Sequence, residues 1–177
     1  MRIAILQFGL VNEAVLEEIR RSLSEIFPHR EAFVLRDVLP LPDEAYNPIR
    51  GQYHSSKVLS LIQSYPMKLD VDRILGITEV DLYVPRLNFV FGEASPYGTA
   101  IISLFRLRPE FYGEPFNHEL FFERASKEAI HEIGHTLGIG HCRDPRCVMF
   151  FSNSIFDTDR KMLRFCRHCK AKISNTT

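Results

Sequence analysis

The residues best suited to chemistry lie in one run, HEIGHTLGIGH, which extends from His131 to His141. Residues four apart on an α-helix lie one turn above each other, so His131 and His135 can present two imidazoles to one metal ion. Glu132 lies partly round the helix, where a carboxylate can reach a metal-bound water without binding the metal. Gly138 allows the helix to end and the chain to reverse, which returns His141 as a third ligand. Three protein ligands leave one position open, as is typical of a catalytic zinc.

All four cysteines of the chain follow directly after this run, as the pairs Cys142 with Cys147 and Cys166 with Cys169. Two closely spaced pairs at this separation fit a four-thiolate zinc site. Two disulfides or free thiols are the alternatives, and a reducing cytosol disfavours the disulfides. A redox role for Cys166 and Cys169 is not favoured, because the pair does not follow a strand at the head of a βαβ unit. We therefore expect a second, structural zinc.

The order of these motifs resembles that of the archaemetzincins, a family of metzincin-type zinc metallopeptidases. The shared features are HExxHxxGxxH, an immediately following cysteine, a CxM triplet and a distal CxxC pair. Weaker likenesses at 50–53, 77–78 and 81–83 extend the resemblance over most of the chain. The resemblance implies a catalytic zinc on His131, His135 and His141, Glu132 as general base, Met149 in the Met-turn, and a second zinc on Cys142, Cys147, Cys166 and Cys169. Taken alone, Met149 is equally typical of a core residue.

Composition limits the classes of partner. The 177 residues are few enough for one domain, and 22 basic and 22 acidic residues leave no net charge, which argues against nucleic acid or an anionic membrane as the main partner. No apolar stretch approaches the length of about 18 residues that spans a bilayer. The N-terminal run Ile3–Phe8 is too short for a signal peptide. We expect a cytoplasmic monomer that acts on a peptide or protein substrate, without nucleic acid or membrane as partner.

The elements that must position the site begin with an alternation of strand and helix. Ile3 to Phe8 is continuously apolar, which predicts a strand buried on both faces. A helix with one apolar stripe follows at 11–26, with Asn12 as its cap, and Ala32 to Leu35 is a second strand. This order implies a parallel pair joined by a right-handed crossover. Further along, the pattern predicts a loop at 37–54, a helix at 56–65 ended by Pro66, and a third strand at 73–78.

The fourth and fifth predicted strands, Asn88–Phe91 and Thr99–Leu107, are separated by seven residues. A parallel pair needs a longer crossover, so one of the two is expected to run antiparallel. The resemblance implies that an antiparallel edge strand borders the cleft and pairs with an extended substrate, for which the candidates are Asn88, Phe89, Val90, Phe91 and Gly92. The alternative is a plain sheet edge.

The site itself is expected on a helix at 119–137, with one face packed on the sheet and the other at a cleft. A last helix is expected from Asp157, and the end of this helix, 160–172, carries six Lys or Arg residues and no acid. A solvated face or a nucleic-acid contact would each account for that charge.

Together the elements predict an α/β (α+β) fold. It is metzincin-like: a mixed five-stranded twisted sheet with one antiparallel edge strand, two large helices and a small zinc-bound C-terminal subdomain. We expect a single metallopeptidase domain over 1–177, with an N-terminal subdomain at 1–141 and a C-terminal subdomain at 142–177 that carries the Met-turn and the four cysteines.

The expected reaction is peptide-bond hydrolysis by a zinc-activated water, with Glu132 as general base. Tyr97 and Tyr112 are candidates for stabilising the oxyanion only because they flank the cleft in sequence. A zinc-stabilised module of the same fold that binds peptide and turns over little remains an alternative, and internal and aminopeptidase-like cleavage both stay open.

Overall fold

The computed structural model describes residues 1–27, 31–65 and 70–174. The strands are β1 (Arg2–Phe8), β2 (Glu31–Leu39), β3 (Tyr46–Asn47), β4 (Gln52–His54), β5 (Arg73–Thr78), β6 (Leu82–Tyr83), β7 (Gly92–Ala94) and β8 (Thr99–Ser103). The α-helices are α1 (Glu13–Ile26), α2 (Ser55–Ser64), α3 (His118–Thr136), α4 (Ile155–Arg160) and α5 (Arg167–Ser174). No helix within these described ranges is both long and apolar enough to cross a membrane.

The main sheet has the strand order β2-β1-β5-β8-β7. β1 pairs in parallel with β2 and β5, and β5 pairs in parallel with β8. β7 runs antiparallel to β8 at the edge, because the four residues between them are enough for a hairpin and too few for a crossover. The predicted fold class, a mixed five-stranded sheet with one antiparallel edge strand, is confirmed.

The predicted position of the edge strand is wrong. The strand is Gly92–Ala94, and in the segment before it only Val90 forms a single antiparallel bridge, with Leu82. Glycine is a common turn residue, and Gly92 therefore suggested the start of the connection. In the structure, pairing with β8 decides which residues form the strand.

Other boundaries also differ from the sequence-based expectation. The segment predicted as a loop contains the end of β2 and the small hairpin β3–β4, which joins β6 in a second, three-stranded sheet. The predicted fifth strand ends at Ser103 and continues as a 3-10 helix at Phe105–Leu107. The predicted last helix is two helices, and the first of them starts before Asp157, because Ser154 caps it in a capping box with that residue. α2 ends at Ser64, and Pro66 lies outside the described residues.

The core has two layers, one on each face of the sheet. On β1, Ile3 and Ile5 pack in the cluster that contains the apolar residues of α1 and α3. Leu6 and Phe8 point the other way and pack in the cluster that contains α2. The prediction of a central strand buried on both faces is confirmed, and Asn12 caps α1 as expected, since its side chain accepts the Ala14 N–H.

Helix α3 is buried more completely than the sequence suggests, because every residue from Arg124 to Gly134 is buried. Its polar side is covered by the C-terminal segment, through buried ionic contacts. Lys161 Nζ lies 2.7 Å from Glu128 Oε1, with both side chains almost fully buried, and Thr158 donates to the same oxygen. These contacts fix the C-terminal segment against the helix that carries two of the three histidines.

Loss of the ion pair between Lys161 and Glu128 should destabilise the protein. Lys161→Ala should lower the free energy of unfolding by about 3–5 kcal/mol, because it leaves the Glu128 carboxylate buried without its partner. Urea denaturation at neutral pH with zinc present measures the change. As a control, Arg21→Ala removes an exposed ion pair with Glu18 on α1, and it should cost less than about 1 kcal/mol. An equally small loss for Lys161→Ala would contradict the prediction.

Candidate metal centre

The three histidines predicted from spacing converge in space. One ring nitrogen from each of His131, His135 and His141 lies within 4.8 Å of the other two. α3 carries the first two one turn apart, with their Nε2 atoms 3.0 Å from each other. Gly138 ends the helix in the left-handed region at a φ of 79°, which turns the chain back and brings in His141.

The tautomers of His131 and His135 follow from their other contacts. His131 Nδ1 lies 2.8 Å from the carbonyl oxygen of Val148, and His135 Nδ1 lies 2.8 Å from that of Ile139. A carbonyl only accepts, so each Nδ1 must carry the proton and each neutral ring leaves a lone pair on Nε2. Two lone pairs facing each other at 3.0 Å repel unless a cation lies between them, so this donor set fits a zinc ion.

Burial keeps these rings in the form that binds metal. It lowers the pKa of His131 well below its ordinary value, and the charge of Lys161 lowers it further. Burial also lowers the pKa of His135 and of His141. Since a neutral imidazole is the ligand, the site does not have to lose protons from its histidines at neutral pH before metal binds.

Met149 packs against the helix that carries the ligands, and it is fully buried. A methyl group at Gly134, between the first two histidines, would lie 2.5 Å from Met149 Sδ. The neighbouring Val148 supplies the carbonyl that accepts from His131, and the Met149 carbonyl accepts the N–H of Cys142. The turn around Met149 therefore holds His131 through the Val148 carbonyl and holds the chain just after His141 through the Met149 carbonyl.

The four cysteines form a second cluster, with every Sγ within 4.8 Å of the others. Sγ of Cys142 lies 3.7 Å from Sγ of Cys166, whereas a disulfide would require about 2.05 Å. Four sulfurs about 2.3 Å from a tetrahedral zinc lie about 3.8 Å apart, which matches the observed distance. Burial raises the pKa of Cys147 and of Cys169, so thiolates at these two positions need a nearby cation, whereas hydrogen bonds lower the pKa of Cys166. The geometry fits a zinc ion and excludes the disulfide alternative for this pair.

Glu132 and His131 border a cleft of about 210 Å³. Glu132 is buried, and burial, followed by the charge of Glu128, raises the pKa of its carboxyl well above the ordinary value. The cleft is lined by Leu87, Asn88, Phe89, Val90, Phe91, Gly92, Glu128, His131, Glu132, Phe151, Ser152 and Asn153. The five predicted substrate-binding residues, Asn88 to Gly92, are all in that set, although only Gly92 belongs to the edge strand.

Two of the sequence-based candidates do not line the cleft, and several residues that do were missed. Tyr97 is exposed in the turn between β7 and β8, and the Tyr112 hydroxyl donates to the Arg106 carbonyl. Glu128 was missed, although it lies one turn before Glu132 on the same helix face. The segment 151–153 was also missed, although it begins two residues after Met149 in the sequence.

The family model described as peptidase family M54 matches residues 3–175. The chain belongs to this family. An archaemetzincin from Methanocaldococcus jannaschii is 48% identical over 99% of this chain and 94% of its own length. The crystal structure of an archaemetzincin from Methanopyrus kandleri superposes with a TM-score of 0.88 at 37% identity, over 99% of this chain and 94% of that one. The crystal structure of a zinc-dependent peptidase from Methanocorpusculum labreanum superposes with a TM-score of 0.85 at 32% identity, over 97% of this chain and 99% of that one.

Membership of family M54 establishes a zinc metallopeptidase and confirms the archaemetzincin resemblance. The converging histidines are the part of this chain that suits the catalytic metal of such an enzyme, and the cysteine cluster suits a second one.

Metal analysis of protein purified under reducing conditions should give two zinc ions per chain. Cys166→Ser should reduce this number to one or less and lower the melting temperature by about 10 °C or more, because structural zinc contributes several kcal/mol to folding. His168→Ala changes an exposed neighbour on α5 and serves as the control. One zinc in the wild type, or unchanged melting in Cys166→Ser, would rule out the second site.

Proposed function

We propose that this zinc metallopeptidase cleaves peptide bonds with Glu132 as the general base, at a zinc held by His131, His135 and His141. The observation that carries the proposal is the geometry of the donors. The Nε2 lone pairs of two imidazoles face each other beside a third ring, and Glu132 lines the same cleft as His131. Buried lone pairs of this kind are unfavourable in a protein that has no cation to place there.

Zinc bound at such a site supplies a Lewis acid that polarises the scissile carbonyl and lowers the pKa of a water molecule. Glu132 accepts the proton of the attacking water and delivers it to the leaving amine. Its buried position supports this role, because a carboxylate removed from bulk water is a stronger base than an exposed one. Val148 and Ile139 hold the imidazoles of His131 and His135 in the tautomer that leaves Nε2 free.

The substrate is proposed to lie extended between two stretches of chain, 87–92 on one side and 151–153 on the other. Phe91 and Ser95 bond to β8 through their main chains, and hydrogen-bonded pairs alternate with open ones in an antiparallel ladder. The N–H and C=O of Gly92 therefore point away from β8. They are available to a peptide backbone, as expected of an edge strand that pairs with substrate.

The cysteine cluster is proposed to hold the second zinc and to organise a C-terminal subdomain, 142–177, on an N-terminal one, 1–141. Cys142 directly follows His141, so a metal at the cysteines restrains the third ligand of the catalytic site. The ion pair of Lys161 with Glu128 supports the same arrangement, because it fixes the C-terminal segment to α3. A cytoplasmic monomer stays a prediction.

Glu132→Gln tests the catalytic proposal. The amide keeps the size of the side chain and cannot accept a proton, so turnover should fall at least about 100-fold while zinc content and peptide affinity change little. Single-turnover cleavage of a mixed peptide library measures turnover, and calorimetry with a peptide that binds measures peptide affinity. Glu119→Gln, an exposed change in the first turn of α3, is the control. If the wild type binds peptides and cleaves none, the low-turnover binding module is the correct description.

Gly92→Ala should also slow the proton transfer by Glu132, because Gly92 lies against the Glu132 side chain. The added methyl group would lie 2.7 Å from Cγ and Oε1 of Glu132 and 2.7 Å from the Ile101 carbonyl, so both the carboxylate and the backbone of the edge strand must move. A misplacement of about 1 Å can cost about 100-fold in rate, and kcat should fall while the zinc content stays at the wild-type value.

Gly140→Ala is the matched control, because its methyl group would meet no atom within 4 Å. Equal kcat values for Gly92→Ala and the wild type would show that Gly92 does not limit the position of the base.

A further inference from the structure

Residues Leu87 to Phe91 line one side of the cleft, and this segment is called the cleft wall. It precedes the edge strand, and its main chain is joined to neighbouring strands by the bridge of Val90 with Leu82 and by the Phe91 carbonyl, which accepts the N–H of Ser103. Leu87 is 45% exposed, and the turn before it contains Arg86, which has a φ of 74°. A segment of this kind has no regular ladder to fix its position, so side chains must do so.

Arg50 is the main side chain that fixes it. Its Nη2 donates to the carbonyl of Leu87 at 2.9 Å and to the carbonyl of Asn88 at 2.8 Å. Its guanidinium also lies over the Tyr83 ring, 4.3 Å from the centroid. Arg50 comes from the turn of the β3–β4 hairpin, 37 residues before Leu87 in the chain, so the contact is made by the fold and not by local sequence.

Gln52 also binds the wall. Its Nε2 donates to the same Asn88 carbonyl at 3.0 Å and to Asp81 Oδ2 at 2.9 Å, and its Oε1 accepts from Arg50 Nε at 2.7 Å. Both Nε2 and Oε1 of the carboxamide therefore have hydrogen-bond partners, so the amide group has one orientation. Gln52 is buried, whereas Arg50 is exposed.

A second arginine holds the side chains of the same wall. Asp81, which accepts from Gln52, also accepts two bonds from Arg106, at 2.8 and 2.7 Å. The Arg106 guanidinium lies 4.4 Å from the centroid of the Phe89 ring, and Phe89 packs edge-to-face on Phe91. Asp81 thus links the residues that hold the wall's carbonyls to the residue that holds its aromatic rings.

We propose that Arg50 and Gln52 are positioning residues for substrate, which set the cleft wall at the distance from Glu132 that a bound peptide requires. The inference rests on the proposed function, because it assigns the wall to substrate. The carbonyls of Leu87 and Asn88 are occupied by Arg50 and Gln52, and the Val90 N–H by Leu82. These three main-chain groups are therefore already bonded within the protein, and the wall selects among peptides mainly through its side chains.

The test compares Arg50→Gln with the wild type in steady-state peptide cleavage. KM should rise about tenfold and kcat should stay within about twofold, because Arg50 holds the wall that contacts substrate and takes no part in proton transfer. Arg50→Lys keeps the charge and loses the planar fork, so it should restore part of the affinity. Arg20→Gln, which breaks an exposed ion pair with Glu17 on α1, is the control and should change neither constant.

A second measurement does not depend on turnover. Amide hydrogen exchange over Leu87 to Val90 should be at least about tenfold faster in Arg50→Gln than in Arg20→Gln, while zinc content and exchange in α3 stay unchanged. Unchanged exchange in the wall, or a lower kcat at constant KM, overturns the positioning role. If the wild type cleaves none of the library peptides, the proposed function fails, and faster exchange in the wall of Arg50→Gln then shows only that Arg50 holds the wall, so the two failures are distinguishable.

Discussion

Repulsion between like electron pairs is the constraint on which the rest of this structure depends. Two imidazole nitrogens face each other at 3.0 Å, and four sulfurs lie within 4.8 Å of one another. A cation at the centre of either arrangement would remove the repulsion. Helix α3 holds the two facing histidines in place because most of its residues are buried.

The C-terminal segment supplies that burial and serves both clusters at once. It contributes the Val148 carbonyl that orients His131 and the four thiols, and it places Met149 against Gly134. Its buried apolar residues, among them Val148, Met149 and Phe165, pack in the main core, and the buried pair of Lys161 with Glu128 adds a polar contact to α3. A buried pair is a poor source of net stability and a strong source of specificity where its partners have one geometry. The pair therefore fixes the orientation of the segment relative to α3.

The sequence predicts the metal-binding parts of this protein better than the parts that contact substrate. His131, His135 and the cysteine pairs are close in sequence, so local geometry decides where their side chains go, and both clusters were predicted from spacing. The cleft wall depends on contacts such as that of Arg50 with Asn88, 38 residues apart, which periodicity does not encode. The edge strand was misplaced for the same reason, because its partner β8 and not its own residue types selects Gly92–Ala94.

The packing of Met149 on Gly134 restricts which natural variants of the metal-binding motif can exist. HExxHxxGxxH leaves position 134 unspecified, yet any side chain there would meet the methionine sulfur at 2.5 Å. The position between the two helical histidines is thus constrained by volume, whereas Gly138 is constrained by its backbone angle. Where this methionine turn lies under the helix, divergent descendants should keep glycine at both places, or change the methionine and the glycine together.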